Sequence, residues 1–328
     1  MRAAHYERVG PAADVLTVSD IPTPEPGPGE VRVRLHTSGV NPSDVKTRAG
    51  ARSRDLPFPR IIPHSDGAGV VDAVGSDVTA HTAGQRVWVW NAAWGRPDGT
   101  AADYVVLPER QVVTLPENVD MAAGACLGIP ALTAFHAVNC HGGVRGQSVL
   151  IAGGAGAVSW YAIQMARQAG AARIMTTVSS AEKAAVAREA GADEVINYRE
   201  EDVAQRVMAL TGDQGADRIV ELEFAANAAV DVAALRPNGL IVAYGASAGE
   251  VTLPFFPSIL KNVLLQFFIV YNLPEADHRA AIDGVMELLQ RDALRHRVAE
   301  RRPLEQIAEA HALVEQGQVV GNVVLELG

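Results

Sequence analysis

Residues 147–170, QSVLIAGGAGAVSWYAIQMARQAG, constrain the fold more than any other stretch of the chain. They read as strand, glycine turn and helix. Val149, Leu150 and Ile151 form a short, partly β-branched apolar run, suited to a strand buried on both faces of a parallel sheet. Gly153, Gly154 and Gly156 follow, where a backbone without Cβ atoms turns tightly and comes close to a ligand. Ala162, Met165, Ala166 and Ala169 then recur at helical spacing as one apolar stripe, and Gly170 stands where a helix C′ residue belongs. The first-turn N–H groups of such a helix have no partner within it and carry the positive end of its dipole, so the layout stabilises an anion. Gly154, Gly156 and Ser159 spell G-x-G-x-x-S, one substitution from the dinucleotide fingerprint. The local charge agrees: between Met121 and Ala181 there is no Asp or Glu, while Arg145, Arg167 and Arg173 lie inside, in a chain of formal net charge −10.

At 328 residues the chain is long for one core, and two domains of about 100–200 residues are expected. A hydrophobic fraction of 48% with 20% charged residues supplies the cores and argues against disorder. The acidic balance, with no cluster of Lys and Arg interleaved with aromatics, speaks against a nucleic-acid partner. Two cysteines, Cys126 and Cys140, build no disulfide framework, and no charged n-region with an apolar core opens the chain, so the cytoplasm is the expected compartment. The most apolar window, residues 254–273, is broken by Pro257, Lys261, Asn262 and Gln266, too polar to span a bilayer. It reads as a buried strand region, and no membrane partner is expected.

Along the chain, the first ~120 residues read as β-rich. In residues 30–40, Val31, Val33 and Leu35 alternate with Arg32, Arg34 and His36, the period of a half-buried strand. The prolines before it, Pro22, Pro24, Pro26 and Pro28, read as a stiff connection. Further strands are expected at 69–74, 86–90 and 104–107. From Gln147 the texture alternates. Strands at 173–178, 194–198, 218–222, 240–244 and 266–271 follow the first one, with Ala-rich helical segments between the earlier ones. That is the doubly wound dinucleotide fold, whose ligand lies at the carboxyl ends of the strands. A helix at 276–291 and a last strand at 322–327 are expected to return to the first domain, giving residues 1–125 and 272–328 as one domain and 126–271 as the other.

About 20 residues past the glycines, an NAD site places an acid that accepts the ribose hydroxyls. Here Val178 holds that position, followed by Ser179, Ser180 and Lys183, which suit a 2′-phosphate. Ser179 or Ser180 is equally a helix N-cap, and both readings stand together. Gly245, Ser247 and Gly249 spell the G-x-S-x-G of a nucleophile elbow, but residues 250–254 read extended where a hydrolase needs a helix, so the segment is taken as a cofactor-side loop. His136, Cys140 and His141 have helical ligand spacing without a fourth ligand. Trp88, Trp90 and Trp94 suit either a flat pocket or ordinary core packing.

These motifs, with GVNPSD at 39–44, HSDGAGVVDAVG at 64–75, LGIPALTA at 127–134, INYREED at 196–202 and the closing VVLEL, resemble the zeta-crystallin-like quinone oxidoreductases of the medium-chain dehydrogenase/reductase superfamily. The resemblance runs nearly end to end. It implies an α/β protein in which a Rossmann doubly wound parallel-sheet domain is inserted in a GroES-like β-rich catalytic domain, with NADPH in the cleft. By position it puts Asn41 near the nicotinamide ribose, the turn residues Gly154, Gly156, Ala157 and Val158 at the pyrophosphate, Ser179, Lys183 and Tyr198 at the adenosine 2′-phosphate, and Gly245, Phe268 and Val270 at the nicotinamide. It also implies a homodimer or homotetramer built through the Rossmann sheet.

The zinc alcohol dehydrogenases share the superfamily, and their three catalytic ligands fall on Asn41, Ser65 and Ile129, none of them Cys or His. No metal is therefore expected. What remains is hydride delivery to a carbon already electrophilic, as in a quinone or a conjugated enone. Three departures stand out. Ser159 replaces the last glycine of the turn and is expected to push the helix slightly off its strand. Asn322, on the cofactor side, stands where relatives often have Lys. Lys46 and Arg52 stand where relatives often line the substrate cleft with tyrosines. These last two point to an anionic acrylate or acyl thioester as an alternative substrate, with solvated loop charge as their plainer reading. A cofactor-binding sensor or structural protein with little turnover is the other alternative.

Overall fold

The computed structural model describes residues 1–317 and 319–328, which fall into two compact units, Met1–Pro130 with His296–Gly328, and Ala131–Arg295. The second unit is a six-stranded parallel sheet in the order Glu194–Asn197, Arg173–Val178, Ser148–Ile151, Ala216–Glu221, Leu235–Ala243, Leu264–Phe267. The order reverses beside Ser148–Ile151, so the chain runs outward from the glycine-turn strand in both directions and opens a crevice at the carboxyl ends there. Val149 and Ile151 are fully buried, as a strand covered on both faces requires.

In the first unit the main sheet has seven strands. Glu30–Val40 pairs antiparallel with Asp66–Val74, with Tyr104–Pro108 and, at its end, with Asn322–Glu326, so the last strand of the chain completes the sheet its N-terminal half began. Val31, Val33 and Leu35 point into the core. The proline-rich residues 21–29 lie between the strands Thr17–Asp20 and Glu30–Val40, outside both.

Three local expectations change. The domain boundary moves: residues 272–295 fall in the second unit, where the helix Glu275–Gln290 packs on Leu132–Asn139. Its stripe Ala281, Val285, Leu288 and Leu289 is buried, and Gly284 makes room for the Phe135 ring, whose atoms lie 2.1 Å from where a Cβ would stand. The 254–273 window is not a buried strand region. It forms a short helix, Phe255–Leu260, and the sheet-edge strand Leu264–Phe267, leaving Phe255, Phe256, Leu260, Leu264 and Phe267 exposed, because an edge strand has no neighbour to cover it. Ser159 fits the fold: it is buried and its hydroxyl donates to the Ala152 carbonyl at 2.7 Å, so the atom that replaces a glycine hydrogen is satisfied by the strand it faces.

Candidate cofactor and substrate site

In the second unit the turn after Ser148–Ile151 is tied to the neighbouring strand. Gly153 adopts φ +66°, a left-handed conformation that favours glycine, and its N–H donates to the Thr177 hydroxyl at 3.0 Å. The Gly154 N–H donates to the Thr177 carbonyl at 2.9 Å, and a Cβ on Gly154 would stand 2.3 Å from the Thr176 hydroxyl oxygen. Gly156 caps the helix Ala157–Gln168, whose first intrahelical bond runs from Trp160 N–H to the Gly156 carbonyl. The amides of Ala157 and Val158 precede that bond and no acid stands in the first turn, so they point their partial positive charge out of the helix. Thr177, which the motifs do not single out, holds the glycine turn through its hydroxyl and carbonyl. Its signal, a hydroxyl at the end of the second strand, is indistinguishable from ordinary strand composition.

At the carboxyl end of that strand Val178 is buried, which leaves no acid to accept ribose hydroxyls. Ser180 is the N-cap of the helix Ala181–Ala190, accepting from Lys183 N–H, so the capping reading holds for Ser180. Ser179 and Lys183 are partly exposed, and Tyr198, more exposed, donates its N–H to the Val178 carbonyl. The adjacent parallel strands Arg173–Val178 and Glu194–Asn197 thus bring Ser179 and Tyr198 to neighbouring carboxyl ends, with Lys183 one turn into the helix that follows.

Beyond the switch point, Gly245 passes so close to the next turn that a Cβ would lie 2.2 Å from the Leu222 carbonyl oxygen. A cavity of about 390 Å³ opens there, lined by Tyr244, Gly245, Ala246, Phe267, Phe268 and Ile269 among others. Phe268 faces it, whereas Val270 is buried in a 3-10 turn rather than extending a strand. The Ser247 hydroxyl donates to the Glu223 carboxylate, and the next helix begins only at Phe255, so the turn lacks the strand-to-helix geometry of a nucleophile elbow. Glu221, at the end of Ala216–Glu221, accepts from Glu223 N–H and from the Asn227 amide, and is hydrogen-bonded to the buried Asp231. Burial and Glu221 together push the Asp231 carboxyl up to about 9, so Asp231 is the partner that keeps the shared proton.

In the first unit Asn41 ends the Glu30–Val40 strand and is the N-cap of Pro42–Arg48, with Pro42 as the first helical residue. Its backbone N–H donates to the Asp44 carboxyl at 2.8 Å, and its side-chain amide donates to Asp66 Oδ2 at 2.9 Å. The same Asp66 oxygen accepts from Ile129 N–H at 2.9 Å. Asp44 and Asp66 are both buried; burial pushes Asp44 up to about 7 and Asp66 well above the ordinary range. The Asn41 side-chain amide and the Ile129 backbone N–H therefore share one oxygen of the Asp66 carboxyl. Among the described residues no group of three or more His, Cys, Asp or Glu side chains could hold a metal ion, the His136, Cys140 and His141 cluster included. Lys46 and Arg52 are exposed; the Arg52 guanidinium lies over the Trp94 ring at 5.7 Å from its centroid and draws the Asp44 carboxyl down. Asn322 is buried in its strand pairing, its side-chain amide donating to the Arg297 carbonyl at 3.1 Å.

Two family models match the chain: an alcohol dehydrogenase GroES-like domain over residues 27–117 and a zinc-binding dehydrogenase over residues 157–291. The quinone oxidoreductase of Homo sapiens is 30% identical over 332 residues, covering 100% of this chain and 98% of that protein. The chain belongs to the quinone oxidoreductases of the medium-chain dehydrogenase/reductase superfamily. Within the family the quinone oxidoreductase of Pseudomonas aeruginosa is 32% identical over 95% of both chains, and a 2-haloacrylate reductase from a Burkholderia species is 29% identical over 99% of this chain and 98% of its own. Solved structures agree on the fold: an NAD-dependent alcohol dehydrogenase with TM-score 0.91 at 34% identity and a mycobacterial protein complexed with NADPH with TM-score 0.89 at 29% identity, each covering 100% of both chains.

Proposed function

We propose that this protein is an NADPH-dependent reductase that delivers hydride to quinones or conjugated enones without zinc. The observation that carries the reading is the bond from the Asn41 side-chain amide to Asp66: at one metal-ligand position of the alcohol dehydrogenases the polar group serves the fold, and at another stands Ile129, whose side chain has no atom for a Lewis acid. NADPH, when bound, supplies the hydride. The residues present suit it. The glycine turn offers first-turn amides to the pyrophosphate, and Ser179, Lys183 and Tyr198 replace the missing acid with groups that favour a 2′-phosphate. Gly245 and Phe268 give the nicotinamide an apolar wall, which excludes water from the reacting face. Asn41, its side-chain amide donating to Asp66, is read as the residue on the nicotinamide-ribose side. Asn322, with its amide spent on Arg297, contributes through the backbone it holds rather than through a charge.

A second substrate class is favoured by one observation: the Arg52 guanidinium stacked over Trp94 presents a flat, cationic surface at a position where many relatives have a phenol. Arg binds carboxylates through two parallel hydrogen bonds, and the Burkholderia relative is named for a carboxylated alkene. We also read the exposed strip from Phe255 to Phe267 as a subunit contact, giving a homodimer in which two edge strands meet.

The test follows NADPH oxidation against quinones, enones and acrylates, with and without a chelator. Turnover that survives chelation supports the proposal. Binding of NADPH without turnover on any acceptor would favour a sensor, and one zinc per chain with activity lost on chelation would overturn the zinc-free reading.

A further inference from the structure

Behind Asn41 the first unit contains a line of polar side chains with no contact to solvent. His311, on the helix Ile307–Glu315, meets His64 through their Nε2 atoms at 2.8 Å; His64 Nδ1 lies 2.8 Å from the Ser38 hydroxyl; Ser38 lies 2.8 Å from the Thr100 hydroxyl; and Thr100 donates to the Asp66 carbonyl at 2.6 Å. All five residues are buried. The two imidazoles meet edge to edge rather than face to face, since their 5.1 Å centroid separation is the N···N distance plus two ring radii.

Proton counting fixes the direction of every link. The Asp66 carbonyl only accepts, so the single Thr100 proton goes there and Thr100 must accept from Ser38. The Ser38 proton is then spent, and Ser38 accepts from His64 Nδ1–H. A neutral His64 has no second proton, so its Nε2 accepts from His311 Nε2–H. That leaves His311 Nδ1 as a buried lone pair with no partner among the described residues. Positive charge on the line is disfavoured by its burial and by Arg48, buried on Pro42–Arg48 and paired with Glu315 at 2.9 Å, which is the cation beside His311; the buried carboxyls of Asp66 and Asp44 lie beyond the other end. Burial pushes both imidazoles down, His311 to about 3, which agrees with two neutral rings.

The line holds a strained segment. His64 has φ +77°, rare for a residue with a side chain, and its ring is gripped at both nitrogens while its carbonyl accepts from Thr100 N–H. Two residues later Asp66 carries the carboxyl that Asn41 and Ile129 share. We infer that His64 and His311 are positioning residues, which lock the 64–66 segment and through Asp66 set the side-chain amide of Asn41. This rests on the reductase reading only where turnover is the readout.

The test has two arms. In protein labelled with 15N histidine, NMR at neutral pH should find His64 protonated at Nδ1 and His311 at Nε2; His64 protonated at Nε2 would reverse the line and overturn the inference. His311→Gln retains a donor to His64, whereas His311→Leu does not. The Leu variant should shift the Asn41 side-chain amide signals and lower kcat about 10–100-fold, with both restored in the Gln variant. Ser38→Ala, which removes the middle link without touching the C-terminal helix, should shift the same amide signals. Unmoved Asn41 signals in both the Leu and Ala variants would overturn the inference whether or not the protein turns over any acceptor. Moved signals with full turnover would leave the line in place and count against the reductase role of Asn41.

Discussion

Replacing Asp231 by Asn should make the protein more stable as the pH rises. In the folded chain the Asp231 carboxyl keeps its proton up to about pH 9, held there by burial and by Glu221, while an unfolded Asp releases it near 3.8. The folded pKa is raised, so this group's contribution is complete below 3.8 and is lost as the pH climbs toward 9. Within that window the unfolded chain has released a proton that the folded chain retains, and each pH unit costs the fold about 1.4 kcal/mol. Between about pH 5 and pH 8 the loss reaches roughly 4 kcal/mol as an upper limit, since Glu221 shares the proton. An Asn at 231 donates to Glu221 as the protonated acid does but has no proton to lose. Its second N–H lacks a partner, a penalty of about 1 kcal/mol at every pH. The variant should therefore sit close to the parent near pH 5 and above it by a few kcal/mol near pH 8, or about 2–4 °C in Tm for each kcal/mol. Urea unfolding followed by circular dichroism at a series of pH values reads this directly. A stability difference that stays constant from pH 5 to pH 8 would show that Asp231 ionises normally and that the Glu221 pair does not share a proton.

Lys183→Glu should abolish a preference for NADPH over NADH of about 10–150-fold in Kd, the value of a charge-assisted phosphate contact worth about 1.5–3 kcal/mol. Fluorescence titration checks it, and equal affinities in the unmodified protein would show that the 2′-phosphate is not read. Arg52→Tyr should lower kcat/KM for a carboxylated enone relative to its neutral analogue; an unchanged ratio would return Arg52 to the role of a solvated loop charge. Leu260→Asp, at a side chain 80% exposed, should convert a dimer to a monomer in sedimentation, and a monomeric parent would refute the subunit contact.

What the sequence determined by itself is local. The strand, the glycine turn and the helix of residues 148–168 follow from apolar periodicity and from a left-handed position that favours glycine at 153, and these depend only on near neighbours. The alternation of strands and helices after Gln147 likewise named the parallel sheet before its order was known. Tertiary structure alone decided the rest. Nothing local distinguishes the helix Glu275–Gln290 as belonging to the second unit, because its partner, Leu132–Asn139, lies far away in the chain. The 254–273 window was apolar enough to read as core, yet burial depends on what packs beyond it, and among the described residues no further strand does. Asn41 was legible from its motif, but its amide is set by Asp66, 25 residues on, and the segment bearing Asp66 is held by a histidine 247 residues from its partner. Hydrogen-bond direction and carboxyl protonation depend on which groups folding brings within reach and which it shuts away from water, and no spacing along the chain encodes either.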